Sequence, residues 1–243
     1  MAPLSPGKLF LAYQRGRLET AEFRRICTFQ FGAYVHEHKQ PFGRLLALNE
    51  ETLVGRHTVS LPVPVAAHVL VLPITGAVWA GVALGSPALV EVEELYLLRV
   101  EAGGTVQFTN PYETELISFL HIWLLAPVGT LAPPRKFAFD LESQPNQLVV
   151  ATPLSSGSPV EQLAPELSFR VQMGRFVGRA ETSCALPANA HCFAFVLAGA
   201  FEVAGRLLHA GDGLALWNTP SVELEALSNN AVVVTLALAT LSS

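Results

Sequence analysis

Charge is scarce in this sequence. Only 14% of its 243 residues are Asp, Glu, Lys or Arg, against a usual share of about 25%. So much uncharged chain needs a large core or a covered surface, and a homodimer or a tight domain–domain contact would supply one. Positive charge is scarcer still, since 15 Lys and Arg against 20 Asp and Glu leave a net charge of −5. Nucleic-acid binding needs clustered cations. The one local gathering, Arg15, Arg17, Arg24 and Arg25, reads as a solvated edge, so no nucleic-acid partner is expected. No segment approaches the roughly 18 consecutive apolar residues of a membrane helix, and the apolar run at residues 9–13 is too short for a secretory leader. Cysteine is sparse as well: Cys27, Cys184 and Cys192 make an odd set without a CxxC pair, which suits reduced thiols in a cytoplasm. GxSxG, P-loop and GxGxxG signatures are all missing, so hydrolase, kinase and dehydrogenase readings have no footing.

What is present is a succession of short apolar or alternating runs, rich in Val and Leu and separated by Gly, Pro or Ser. They read as strands over 58–61, 68–74, 77–82, 88–92, 95–100, 105–109 and 116–125. Gly76 marks a tight hairpin, and Gly103-Gly104 a second turn. The pattern resumes from Ser168, with strands over 169–177, 191–196, 201–203, 214–217, 222–227 and 231–239; residues 147–151 form a short strand between the halves. Proline in 127–134 and the polar run 155–159 punctuate the middle. The two halves repeat one layout at low similarity, the Gly211-Asp212 turn being peculiar to the second. This predicts an all-β chain of two barrels, residues 1–134 and 135–243, with the first 40 residues as an arm covering the first barrel.

Three islands resemble a known family. Residues 28–34 (TFQFGAY) are similar to the TFSFGxY segment of pirin and the bacterial pirin-like bicupins. Residues 42–50 (FGRLLALNE) resemble its FGxLRVxNE segment, and His121-Ile122-Trp123-Leu124 its Q-x-W strand. The second half resembles only a degenerate cupin, through Gly211-Asp212. The resemblance implies two cupin (jelly-roll) barrels stacked as a bicupin, and, in metal-bearing members, one iron in the N-terminal barrel on an HPH triplet and an H-x-E pair. Counted back from Gly76, the two triplet histidines fall on Pro62 and Pro64, and the H-x-E pair on Gln107 and Thr109. Proline offers no side-chain donor, and Gln or Thr are weak neutral ligands. No metal or other cofactor is therefore expected.

Of the remaining polar candidates, His57 and His68 flank the vacated region, and His121 sits among Phe119, Leu120 and Trp123. If His68, Gln107 and His121 converge, they form a polar patch for an organic ligand; Thr109 and His57 complete the candidate pocket. His68 reads equally as a core imidazole. His36 and His38 lie in a loop without a third ligand. His191 and Cys192 are strand neighbours facing opposite sides, so they make no Cys–His pair, and Cys192 reads as a small buried hydrophobe. Cys27 and Cys184 are candidates for oxidation where exposed. Glu91, Glu93 and Glu94 read as a solvated edge.

The leading expectation is a metal-free bicupin that binds a small molecule, or acts as a regulatory sensor, without catalysis. The alternatives are a quercetinase-like metal-dependent dioxygenase using displaced ligands such as His57, His68 or His121, and a structural module for protein interaction.

Overall fold

A computed structural model describes residues 4–127, 133–152 and 167–240 of the chain. Residues 155–159 and most of 127–134, the expected punctuation, lie outside the described residues. Apart from one three-residue 3-10 turn, Ala12–Gln14, every element among the described residues is a strand, as the alternating runs predicted.

The chain divides into two compact units. The first, Arg15–Ala138, pairs a seven-stranded sheet with a four-stranded one. The larger runs in the order Arg135–Ala138, Glu94–Val100, Ala67–Thr75, Ile117–Leu125, Leu45–Leu53, Phe23–Cys27 and Gly16–Glu19. The smaller runs Thr58–Pro62, Thr105–Thr109, Val78–Val82 and Ala88–Val90. All pairings are antiparallel. Alternation places one set of side chains inside: Val59 and Leu61, Val69 and Val71, Val106 and Phe108, Phe119 and Trp123 belong to one buried cluster. Their neighbours point the other way. The expected hairpin at Gly76 is there, at φ +72, and a Cβ at this glycine would lie 2.8 Å from Ile117 Cγ2.

The second unit takes Phe139 onward together with the residues up to Gln14. Its six-stranded sheet runs Gly7–Phe10, Gly213–Leu216, Ala190–Ala198, Ala231–Ala239, Phe169–Phe176 and Val149–Val150. Its four-stranded sheet runs Glu181–Ala185, Ser221–Ala226, Ala200–Val203 and Arg206–His209. The arm expectation is corrected here. Gly7–Phe10 pairs in register with Gly213–Leu216, so the first 14 residues go with the C-terminal unit, while Phe23–Cys27 is an integral strand of the first barrel. The Gly211-Asp212 signal has a physical basis in this arrangement. Gly211 takes φ +85, and the buried Asp212 carboxylate accepts the backbone N–H of His209 at 2.8 Å and that of Ala12 at 2.7 Å.

Candidate functional site

Three neighbouring strands of the first barrel carry a buried polar chain on their inward faces. Arg25 on Phe23–Cys27 stands directly across from Glu51 on Leu45–Leu53. His121 and Trp123 follow on Ile117–Leu125, which pairs with the other side of that strand. Arg25 grips the Glu51 carboxylate with two hydrogen bonds, Nε to Oε2 at 2.6 Å and Nη2 to Oε1 at 3.1 Å. The geometry is the planar fork that guanidinium and carboxylate share. Trp123 Nε1 donates to His121 Nδ1 at 2.9 Å. Because indole nitrogen only donates, His121 Nδ1 is the acceptor and its proton sits on Nε2, which points at Glu51 Oε2 3.3 Å away. The imidazole is neutral: burial holds it below the usual histidine range, the hydrogen bond and charge of Glu51 oppose that, and Arg25 reinforces it. Glu51 and His121 are wholly buried, and so is Asn49, across from His121, whose side-chain amide atoms have no hydrogen-bond partner among the described residues.

Aromatic rings frame the chain. The Arg25 guanidinium carbon lies 5.4 Å from the Phe23 ring centre and 5.5 Å from that of Phe31. Phe31 meets Trp123 edge-on at 5.0 Å. Beside Arg25 and Trp123 opens a cavity of about 500 Å³, whose lining includes Phe31, Leu61, Pro62 and Pro64.

Among the expected pocket residues, only His121 faces the barrel interior, and it stands behind the cavity wall. His57 lies in the loop before Thr58–Pro62, its ring stacked on Phe23 with centres 6.0 Å apart. His68 sits between the inward Ala67 and Val69 and so points through the opposite face of its sheet. There burial, with Arg99 and Arg135 nearby, pushes it down to about 4. Gln107 and Thr109 alternate with inward Val106 and Phe108, so they too face outward. Gln107 Nε2 donates to Ser60 Oγ at 3.0 Å, and the Thr109 hydroxyl pairs with that of Thr58 at 2.8 Å. The polar patch of His68, Gln107 and His121 therefore does not form. Pro62 and Pro64, by contrast, stand on the cavity rim, alternating with inward-facing Leu61 and Val63.

Sequence reasoning missed the Arg25–Glu51 pair. Arg25 is buried rather than solvated, and Arg15 is likewise enclosed, its guanidinium 3.2 Å from Glu50. The available signal was the spacing of Glu51 from Ala47 and Leu53, four and two residues along the same face. It was masked by Glu50, which puts a second carboxylate on the other face. Among the described residues, no three His, Cys, Asp or Glu side chains gather into a group able to hold a metal ion.

Comparison with known proteins agrees with this architecture. Residues 167–235 match the family of the quercetinase C-terminal cupin domain. No curated protein matches the sequence. Among solved structures, YhhW of Escherichia coli is 20% identical, with 98% of this chain and 100% of that one covered and a TM-score of 0.79. The same bacterial pirin has been solved in complex with nickel(II), at 20% identity, 97% and 100% coverage and a TM-score of 0.78. A quercetin 2,3-dioxygenase of Acinetobacter baumannii is 14% identical over 96% of this chain and 86% of that one, with a TM-score of 0.72. The chain is thus a pirin-like bicupin in fold, two cupin barrels in one polypeptide, with a C-terminal barrel that matches the quercetinase C-terminal cupin family.

Proposed function

We propose that this protein binds a planar, largely apolar small molecule in the N-terminal barrel, and does so without a catalytic metal. The observation that carries the reading is the cavity beside Arg25 and Trp123, with prolines on its rim where the family resemblance puts metal ligands. A concave, mostly apolar space of this size with a few fixed polar groups is the usual form of a small-molecule site. The donor chemistry supports the same reading. The inward positions beside Pro62, Pro64, Gln107 and Thr109 are Leu61, Val63, Val106 and Phe108, none of which has an atom to offer a metal. Glu51 and His121 are engaged with each other and with Arg25 and Trp123, so these residues do not fit a transition-metal centre. The dioxygenase reading draws no support from His57, His68 and His121, which do not converge.

The test is a titration of the purified protein with quercetin and with anilinonaphthalene sulfonate, before and after incubation with ferrous iron. Tryptophan emission reports occupancy, flavonol absorbance reports turnover, and elemental analysis reports metal. Saturable quenching, unchanged flavonol and near-zero metal are expected. One tightly held metal per chain with flavonol consumption would establish the dioxygenase instead. No saturable response to either probe would remove the binding reading.

A further inference from the structure

The C-terminal barrel holds a second buried polar cluster, separate from the site above. Arg170 and Gln172 on Phe169–Phe176 and Cys192 on Ala190–Ala198 share the inward face of the six-stranded sheet with Thr235. The register fixes this, since Arg170 and Cys192 both pair with Ala237, and Gln172 pairs with Thr235. Cys184 comes from the four-stranded sheet into the same buried cluster as Cys192. Its sulfur donates to the Gln172 side-chain oxygen at 3.2 Å, and it lies within electrostatic reach of the Cys192 thiol, the Arg170 guanidinium and the Thr235 hydroxyl.

Arg170 is 2% exposed. Its Nη2 donates to the Ala185 carbonyl, while Nε and Nη1 find no hydrogen-bond partner among the described residues. A buried guanidinium without an anion is costly, and the anion-forming group that faces it is the Cys184 sulfur. Contact with the Cys192 thiol, then Arg170 and Thr235, brings Cys184 down to about 6 against the opposing effect of burial. Cys192 is pushed well above the usual thiol range by Cys184 and by burial. Within one buried cluster, Cys184 is thus the sulfur held toward the thiolate and Cys192 the one held as a thiol, which is the arrangement of an attacking and a resolving cysteine. A surface pocket of about 420 Å³ at the end of this barrel is lined by Leu186 and Ala190, among others. These two lie two residues along the chain from Cys184 and Cys192 respectively and belong to the same buried cluster, so about one layer of side chains separates the sulfurs from the pocket.

We propose that Cys184 and Cys192 form a redox-responsive dithiol, which a hydroperoxide closes to an intramolecular disulfide inside the C-terminal barrel. The Cys184 thiolate attacks one peroxide oxygen. The O–O bond breaks, the departing oxygen takes a proton and leaves as water or an alcohol, and Cys184 becomes a sulfenic acid. Cys192 sulfur then attacks Cys184 sulfur, the S–O bond breaks, and the hydroxide leaves as water with the Cys192 proton. Two thiols lose two electrons and one peroxide gains them. The closed disulfide carries no charge, so oxidation strips Arg170 of its counter-anion and couples the redox state to the packing of the barrel.

The chain carries its own control. Cys27, in the other barrel, is raised to about 11, chiefly by burial, with Arg25 partly offsetting this. The experiment treats the folded protein with hydrogen peroxide, removes the excess with catalase, denatures in N-ethylmaleimide and maps tryptic peptides by mass. Cys184 and Cys192 fall in one peptide, residues 180–206, and Cys27 in another. Residues 180–206 are expected to escape alkylation and to lose the mass of two hydrogens, both reversed by dithiothreitol, while Cys27 stays alkylated. Cys192→Ser should stop the reaction at a Cys184 sulfenic acid that dimedone traps. Arg170→Met should slow Cys184 oxidation at least tenfold. Full alkylation of residues 180–206 after peroxide, preferential oxidation of Cys27, or disulfide-linked dimers would overturn the dithiol. An undiminished rate in Arg170→Met would overturn the role given to the guanidinium.

Discussion

Removing Glu51 alone should damage the N-terminal barrel far more than removing Glu51 and Arg25 together. In the wild type the carboxylate takes two hydrogen bonds from Arg25 and faces His121 Nε2. Glu51→Leu leaves a guanidinium held between Phe23 and Phe31 without its anion, and it leaves the imidazole N–H without its acceptor. Breaking a buried pair from one side costs about 3–5 kcal/mol, whereas replacing both partners by apolar residues of similar volume is often neutral or stabilising. Glu51→Leu is therefore expected to lose about 3–5 kcal/mol. The Arg25→Met, Glu51→Leu double variant should come back to within about 1 kcal/mol of the wild type. A barrel of this size shifts its Tm by about 4 °C per kcal/mol, so the single variant should melt about 12–20 °C lower. Urea unfolding in a Trp217→Phe background gives the clean readout, because the two remaining tryptophans, Trp79 and Trp123, lie in Arg15–Ala138. A single-variant loss below about 1 kcal/mol, or a double variant as unstable as the sum of the two singles, would refute the reasoning.

Two further outcomes follow from where the sequence candidates lie. His68 is held at about 4 in the fold and reverts to its ordinary value of 6.5 on unfolding. Between those values the unfolded chain binds the proton and the folded chain does not, so stability is lost as pH falls through that window, by about 2 kcal/mol at pH 4.5. A His68→Leu variant should show a flatter stability profile from pH 7 to 4.5, and an unchanged slope would count against the buried neutral imidazole. Gln107→Ala and Thr109→Val, on the outer face of their sheet, should change stability by no more than about 0.5 kcal/mol each. They should also leave quercetin quenching unaltered, and a marked loss of quenching would place them back in the site.

The barrel framework was legible because two-residue alternation is a direct record of which face is buried. Thr105–Thr109 and Ala231–Ala239 are found with the limits read from the pattern. Leu45–Leu53 was not read as a strand, since Asn49 and Glu51 place polar side chains on its inward face and erase the apolar alternation. Glu181–Ala185 hid for another reason: Cys184 is its one buried residue, so its composition is that of a polar loop. The candidate site was legible in region and not in detail. Counting from Gly76 led to Pro62 and Pro64, which line a cavity. Which neighbour faces inward, however, turns on a single-residue shift, and that shift decides between Gln107 and Phe108. Burial of charge was the harder matter. Nothing local in Arg24-Arg25 tells which guanidinium will find a carboxylate on the next strand; only the register Arg25↔Glu51 does.

The strand Gly7–Phe10 has a consequence for the order of folding. Its partner is Gly213–Leu216, and the Ala12 amide is held by Asp212, 200 positions further along the chain. A ribosome therefore releases this segment 200 residues before the part of the chain that holds it. Until then Gly7–Phe10 lacks the partner strand it pairs with, the condition under which a nascent chain is most exposed to pairing with a neighbour. Contacts this distant in sequence form slowly, because the loop they close must be ordered before they give anything back. The N-terminal barrel, Arg15–Ala138, closes without that segment, so during synthesis it can be complete before Gly213–Leu216 has emerged.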